Sequence, residues 1–293
     1  MISSEVNGMK SWIQAARPLA HVNIAIPLAL GQAAAWHVTG RFRWWWFGAA
    51  LVWGVIDHLF VIFANDFADR YADTGRRTPF SGGSGVIPEG KLSAAQLARA
   101  ARGAAASLMA YSCALMLLGR ILTPLYGIAA LLLLWLYSFE PARLSYRGGG
   151  ELLQGIGLGI GLPSLGYYLQ TQQMFAPVWI LAPATTLGIC GNVLTSLPDI
   201  EDDARANKKT WPVRHGMTSA RRFASAGIAF ASFAVFLWTP SVSMHARAAV
   251  SIAPLLPLLA GARSDDPYRA AWWSSVALNA LVVLWISAMV LGL

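Results

Sequence analysis

Acidic residues are scarce in this sequence: 14 Asp and Glu are spread over 293 residues, and all charged residues together make up 12%. A chain so poor in charge lacks the polar surface that a water-soluble domain of this size requires, which excludes that class as the first reading. Cysteine is scarcer still. The two present, Cys113 and Cys190, sit inside apolar stretches with no second close pair, so no metal-ligand spacing exists and both read as packing residues. The N-terminus lacks a charged head followed by a short apolar core and a cleavage site, so the first long apolar helix is expected to remain in the mature protein. No low-complexity linker divides the chain, and residues 1–293 are expected to form a single membrane domain.

What the chain has instead is hydrocarbon: 56% of its residues are hydrophobic and its mean hydropathy is +0.50. Apolar runs of about 20 residues, each long enough to cross the bilayer core as a helix, recur from residue 18 to the end. Nine are expected, over 18–39, 43–67, 93–119, 121–140, 151–171, 177–198, 217–239, 243–261 and 267–292. They show no alternation of polar and apolar positions, so the fold class is an all-α bundle of about nine transmembrane helices and not a barrel. Trp44, Trp45 and Trp46 read as an aromatic belt at the membrane interface.

The 22 Lys and Arg residues sort by side. All but Arg41, Arg43, Arg120 and Arg247 fall in the N-terminal tail, in the even-numbered loops or just inside the helix ends that border them, which places the N-terminus and those loops in the cytoplasm. That distribution accounts for the net charge of +8, and no nucleic-acid partner is expected.

Half of the acidic residues are concentrated in two short segments at the ends of the second and sixth expected helices. In Asn65-Asp66-Phe67-Ala68-Asp69-Arg70-Tyr71-Ala72-Asp73 the carboxylates recur at i, i+3 and i+7, on one helical face. In Asp199-Ile200-Glu201-Asp202-Asp203 the i, i+3 and i+4 positions share a face and Glu201 points elsewhere. Solvated helix ends explain either cluster alone. Two such clusters, each followed by basic residues, point to a hard-oxygen site that suits Mg2+, with the remaining ligands supplied by a phosphate-bearing substrate. Arg70, Arg76, Arg77, Arg143, Arg147, Lys208 and Lys209 are near enough in sequence to serve the same anion. Neither segment has the spacing of an EF-hand. Ser81-Gly82-Gly83-Ser84-Gly85 reads as a flexible loop or an anion-binding lid, and it lacks the Lys and Ser/Thr ending of a nucleotide-binding P-loop.

Asn65-Asp66-x-x-Asp69-x-x-x-Asp73 and Asp199-x-x-x-Asp203 resemble the two Asp-rich motifs of the UbiA superfamily of intramembrane prenyltransferases. The segment Lys208-Lys209-Thr210-Trp211-Pro212-Val213-Arg214-His215-Gly216 resembles the family's following loop, with Asn207 where a Gly is common and Pro198 directly before the second motif. Tyr137, Pro141, Arg143 and Tyr146-Arg147-Gly148-Gly149-Gly150-Glu151 look most like the dihydroxynaphthoate branch, although a Gly-rich turn opening a helix explains the last stretch equally well.

The resemblance implies a prenyl diphosphate donor, a Mg2+ cofactor and an aromatic or quinone-precursor acceptor, with the site opening to the cytoplasm. It implies metal binding by Asn65, Asp66, Asp69, Asp73, Asp199, Asp202 and Asp203, with Asp66, Asp69, Asp199 and Asp203 catalytic. Diphosphate contacts fall to Arg70, Arg77, Arg143, Lys208 and Lys209, and acceptor contacts to Asn23, Tyr137 and Tyr146. His21 and Asn23 either reach the cavity or bond across helices. Two other readings stay open: a membrane terpene cyclase working without acceptor, and a cation-coupled transporter, which requires carboxylates near the bilayer midplane.

Overall fold

The computed structural model describes residues 2–71, 83–264 and 266–293. Every regular element among the described residues is a helix, in the order α1 (Ile2–Ala16), a 3-10 turn (Pro18–His21), α2 (Val22–Thr39), α3 (Trp44–Ala68), α4 (Ala94–Leu117) and α5 (Thr123–Ser138). Two short helices, α6 (Leu144–Arg147) and α7 (Gly150–Gln154), lead through a π-helical segment (Gly155–Gly161) into α8 (Leu162–Thr171). Then come α9 (Val178–Thr195), α10 (Ile200–Arg205), α11 (Trp211–Trp238), α12 (Met244–Ile252), α13 (Leu255–Ala262) and α14 (Pro267–Leu291).

Among the described residues seven helical stretches are long and apolar enough to cross a membrane, and α5 is a shorter apolar helix. The outer surface fits that environment. On α5 the exposed side chains Leu125, Ile128, Leu132 and Trp135 form one stripe at helical spacing, which water would penalise and lipid would not. Trp44 and Trp45 are likewise exposed at the start of α3.

Several expected runs are subdivided. The run 243–261 breaks after α12, where Pro254 has no N–H to continue the ladder. The helix expected from 217 extends back to Trp211 across Gly216, whose φ of 79° interrupts it. The N-terminal tail, expected without an element, is helix α1. The Gln14 side chain holds it in place, donating to the Ser84 carbonyl at 2.8 Å and accepting from Lys91 Nζ at 2.7 Å. These partners lie some 70 positions away, so local propensity does not announce them.

Close helix crossings hold the bundle together, because lipid removes the hydrophobic drive for helices to associate. Where α2 meets α8 the backbones touch at two glycines. A Cβ built on Gly31 would lie 1.9 Å from the Pro163 carbonyl oxygen, and one on Gly166 would lie 2.3 Å from that of Leu28. Around α9, α11 and α14 a core of Leu187, Val193, Ile228, Leu281 and Trp285 is fully enclosed. Between α2, α3, α5 and the π segment the packing opens into a cavity of about 310 Å³.

Candidate active site

The first Asp cluster ends α3, with Asp69 as its C-terminal cap residue, and the second opens α10, with Asp199 as its N-terminal cap residue. They meet through Lys208. After α10 the chain turns at Asn207, whose φ of 58° is left-handed. Asn tolerates this conformation better than other non-glycine residues, so the position can dispense with Gly. The turn brings the Lys208 N–H back to the Asp203 carbonyl at 2.8 Å. The Lys208 ammonium then lies 3.0 Å from Asp69 Oδ2 and 3.7 Å from Asp203 Oδ1. Both carboxylates are buried.

Other side chains complete the arrangement. Tyr146 donates its hydroxyl to Asp69 Oδ1 at 2.9 Å, and Thr210 donates to Asp203 Oδ2 at 3.3 Å. The Arg143 guanidinium lies over the Tyr146 ring at 3.5 Å, and its buried Nε has no hydrogen-bond partner. The Lys209 N–H donates to the Tyr146 carbonyl at 3.1 Å, which docks the segment after α10 onto α6, while the Lys209 side chain is exposed. Glu151 is buried and accepts from the Trp211 N–H at 2.6 Å, satisfying one of the free donors that open α11.

Burial raises the Asp203 carboxyl above the ordinary carboxylate range, and Lys208 and the Thr210 hydroxyl pull it partly back. Burial followed by the Asp69 charge raises the Tyr146 phenol, so it stays protonated and donating.

The remaining expected residues are distributed as follows. Asp66 is buried and receives the Ser84 N–H on both oxygens, at 3.3 and 3.2 Å. The Asn65 side chain accepts from Ser138 Oγ at 3.0 Å. Asp199 is half-buried at the start of α10. Asp202 does not join the converging face: it pairs with Arg205 one turn on, because adjacent positions on α10 point about 100° apart. Arg70 folds back onto its own helix end, donating to the Phe67 carbonyl at 2.6 Å and lying over the Phe67 and Tyr71 rings. Asp73, Arg76, Arg77, Ser81 and Gly82 lie outside the described residues.

Asn65 and Asp66 also line the cavity, which continues from them past Tyr137 and Leu134 to Tyr126 and Trp53. Asn23 lines it as well, whereas Tyr146 stands at Asp69 and not along the cavity wall. The Tyr137 hydroxyl accepts from Asn192 at 3.2 Å, and Asn192 also donates to Gln154 at 2.7 Å. Among the cavity residues that the sequence did not single out are Arg17, Asp57 and His58. A carboxylate and an imidazole side by side inside the apolar run of α3 were the available signal.

Among the described residues no three His, Cys, Asp or Glu side chains converge as a preformed metal centre would. Mg2+ does not require one, since one or two carboxylates plus substrate phosphates commonly hold it. The chemistry of the donors fits that ion: all are oxygens, and Asp69 and Asp203 already share a cation.

The family model of the UbiA prenyltransferase family matches residues 24–286. The 1,4-dihydroxy-2-naphthoate octaprenyltransferase of Mycobacterium tuberculosis is 32% identical over 242 residues, covering 78% of this chain and 79% of that protein. Among solved structures, a UbiA homologue from Archaeoglobus fulgidus bound to DMAPP and Mg2+ aligns over 97% of this chain and 100% of its own, with a TM-score of 0.68 at 18% identity. The same homologue bound to GPP and Mg2+ aligns with a TM-score of 0.69 at 17% identity, over 96% and 99% of the two chains.

Proposed function

The chain belongs to the UbiA prenyltransferase family, and we propose that this integral membrane prenyltransferase uses Mg2+ to move a prenyl group from an isoprenoid diphosphate to an aromatic or quinone-precursor acceptor. The observation that carries this reading is the meeting of the two Asp clusters on Lys208, at residues adjoining a largely apolar cavity. A diphosphate needs cations at one end and its isoprenoid tail needs hydrocarbon at the other, and the two environments adjoin here. The 32% identical relative named for 1,4-dihydroxy-2-naphthoate supports an acceptor of that kind.

In the reaction the allylic C–O bond breaks and its electron pair leaves with the diphosphate. An electron-rich carbon of the acceptor then forms the new C–C bond, and its proton passes to the departing diphosphate or to a carboxylate of the site. Mg2+, when bound, supplies positive charge against the departing diphosphate. Asp66, Asp69, Asp199 and Asp203 would hold it, with Asn65 and Asp73 as further ligands, and Asp202 only on leaving Arg205. Lys208 and Arg143 bind and orient the anion, and the unpartnered Arg143 Nε offers a donor already free of internal bonds. Lys209 would add positive charge at the same end, Arg70 would do so on leaving the Phe67 carbonyl, and Arg77 is assigned the same role from its place in the sequence. Tyr137 and Asn23, along the cavity, and Tyr146, at its Asp69 edge, contact the acceptor. The apolar wall excludes water, which would otherwise capture the allylic cation.

The same reading takes residues 1–293 as one membrane domain with nine crossings among the described residues: the seven long spans, α5, and the continuous stretch from α7 through α8. The distribution of Lys and Arg supports a cytoplasmic N-terminus and a site open to the cytoplasm.

The test is to incubate the purified protein with geranyl, farnesyl and longer prenyl diphosphates, with Mg2+ or EDTA, and with or without 1,4-dihydroxy-2-naphthoate or 4-hydroxybenzoate. Mg2+-dependent prenylated acceptor in the mass spectrum is expected. A cyclised product without acceptor would move the chain to the terpene cyclases. No diphosphate release from any donor, together with wild-type donor binding by Asp66→Ala and Asp199→Ala, would overturn the reading.

A further inference from the structure

Within the cavity, α3 presents a stripe at i, i+4 spacing: Trp53, Asp57, Val61 and Asn65. Asp57 lies two turns below Asn65, a separation of about 12 Å along the helix axis. It is buried, and its Oδ1 has no hydrogen-bond partner. No ion pair reaches it among the described residues. An unsatisfied carboxylate deep in a membrane protein is normally retained because something comes to satisfy it.

The two occupants that the transfer reaction brings differ in what they offer this group. An isoprenoid tail has no hydrogen-bond donor and would leave Asp57 unsatisfied. A hydroxylated aromatic ring carries an O–H that matches it. Next to Asp57, His58 contributes to the same wall, and its Nε2 is already engaged with the Ala16 carbonyl at 2.9 Å. A ring nitrogen facing a carbonyl must carry the proton, so Nδ1 is left as an acceptor and not a donor. Asp57 Oδ1 and His58 Nδ1 thus offer two acceptors to a hydroxyl on this wall, and Arg17 lines the same cavity as its cation.

We propose that Asp57 is the acceptor-anchoring residue of this transferase: it receives the O–H of a hydroxyarene and holds the ring's reactive edge toward Asn65 and Asp66, where the allylic carbon arrives. The proposal rests on the prenyl-transfer reading of the same cavity and assigns one residue to the hydroxyl of its second substrate. The isoprenoid tail then lies along the apolar wall of Leu133, Leu134 and Leu158 and not against Asp57.

The experiment uses the full chain in detergent and two independent readouts. Calorimetric titration with geranyl diphosphate and Mg2+ reports the donor site. Titration with 1,4-dihydroxy-2-naphthoate and with 4-hydroxybenzoate, each beside its O-methyl ether, reports the acceptor site without needing turnover. In Asp57→Leu the hydroxyarene Kd is expected to rise roughly tenfold or more while the geranyl diphosphate Kd stays at the wild-type value. Asp57→Asn, which keeps a carbonyl acceptor, should recover most of the affinity, and the methyl ethers should bind all three proteins equally weakly. Equal hydroxyarene binding by wild type and Asp57→Leu, or no hydroxyarene binding by wild type, would overturn the proposal. So would loss of geranyl diphosphate binding in a folded Asp57→Leu variant, which would assign this end of the cavity to the tail. Failure of the wild type to bind geranyl diphosphate would instead strike the transferase reading, and the hydroxyarene titrations would still decide the role of Asp57.

Discussion

Lys208 reaches Asp69 at 3.0 Å across 139 positions of sequence, and the same ammonium stands 3.7 Å from Asp203. One cation thus joins two acidic clusters that would otherwise repel each other, and it occupies ground where a substrate-bound metal ion would be equally welcome. The pairing is largely shielded from solvent, with side-chain exposures of 11% for Lys208 and 6% for Asp69.

Removing this cation should therefore cost stability as well as activity. Taking one partner from a buried pair typically costs about 3–5 kcal/mol. Lys208→Met is expected to lower Tm in detergent and to regain part of the loss when Mg2+ and geranyl diphosphate are added together. An unchanged Tm without ligand would show that the two carboxylates do not depend on Lys208.

Asp203 sets a pH dependence of definite sign. Its carboxyl is raised above the ordinary value of 3.8 by burial. An acid that holds its proton more tightly when folded makes stability fall as pH rises from the unfolded value to the folded one, with no further change above it. Asp203→Asn removes that step. Its Tm relative to wild type should climb as pH rises through that window, and a difference constant with pH would contradict the assignment.

The crossing of α2 and α8 should be intolerant of any side chain at its two glycines, because backbone and not a flexible side chain stands opposite. Gly31→Ala and Gly166→Ala are each expected to cost about 1–3 kcal/mol or more by overpacking. Gly103→Ala, with nothing within 4 Å of the added Cβ, should leave Tm unchanged or raise it. Equal Tm values for the three variants would remove the close crossing from the account of the fold.

The π segment borders the cavity, and a Cβ at Gly161 would meet only the Ile156 carbonyl oxygen, at 3.7 Å. Gly161→Leu should then fold normally and fill cavity space, lowering turnover roughly tenfold or more with little change in Tm. Undiminished activity with both a naphthoate and a benzoate acceptor would mean that the substrate does not use this side of the cavity.

The long helices were legible because membrane insertion selects for length and apolarity, both local properties of a sequence. The two Asp clusters were legible because charge stands out against hydrocarbon. Their partners were less so. Asp202 shares the spacing of its cluster yet turns to Arg205, while Asp203, one position on, faces Lys208. Arg70 follows Asp69 directly and still folds away onto Phe67. Asp57, though charged, lay isolated in the run of α3, where spacing offered no second carboxylate to mark it.

The sequence alone determined a helical chain for a lipid solvent, a bias of basic residues to one side, and two carboxylate clusters with basic residues close behind. Helical periodicity and bilayer thickness are enough to establish these features. Only the tertiary structure decided that Asn207 turns Lys208 back between Asp69 and Asp203, and that Asp57 opens onto a cavity without a partner. A helix fixes the direction of a side chain every 100° or so, but what stands opposite it depends on which other helix is packed there.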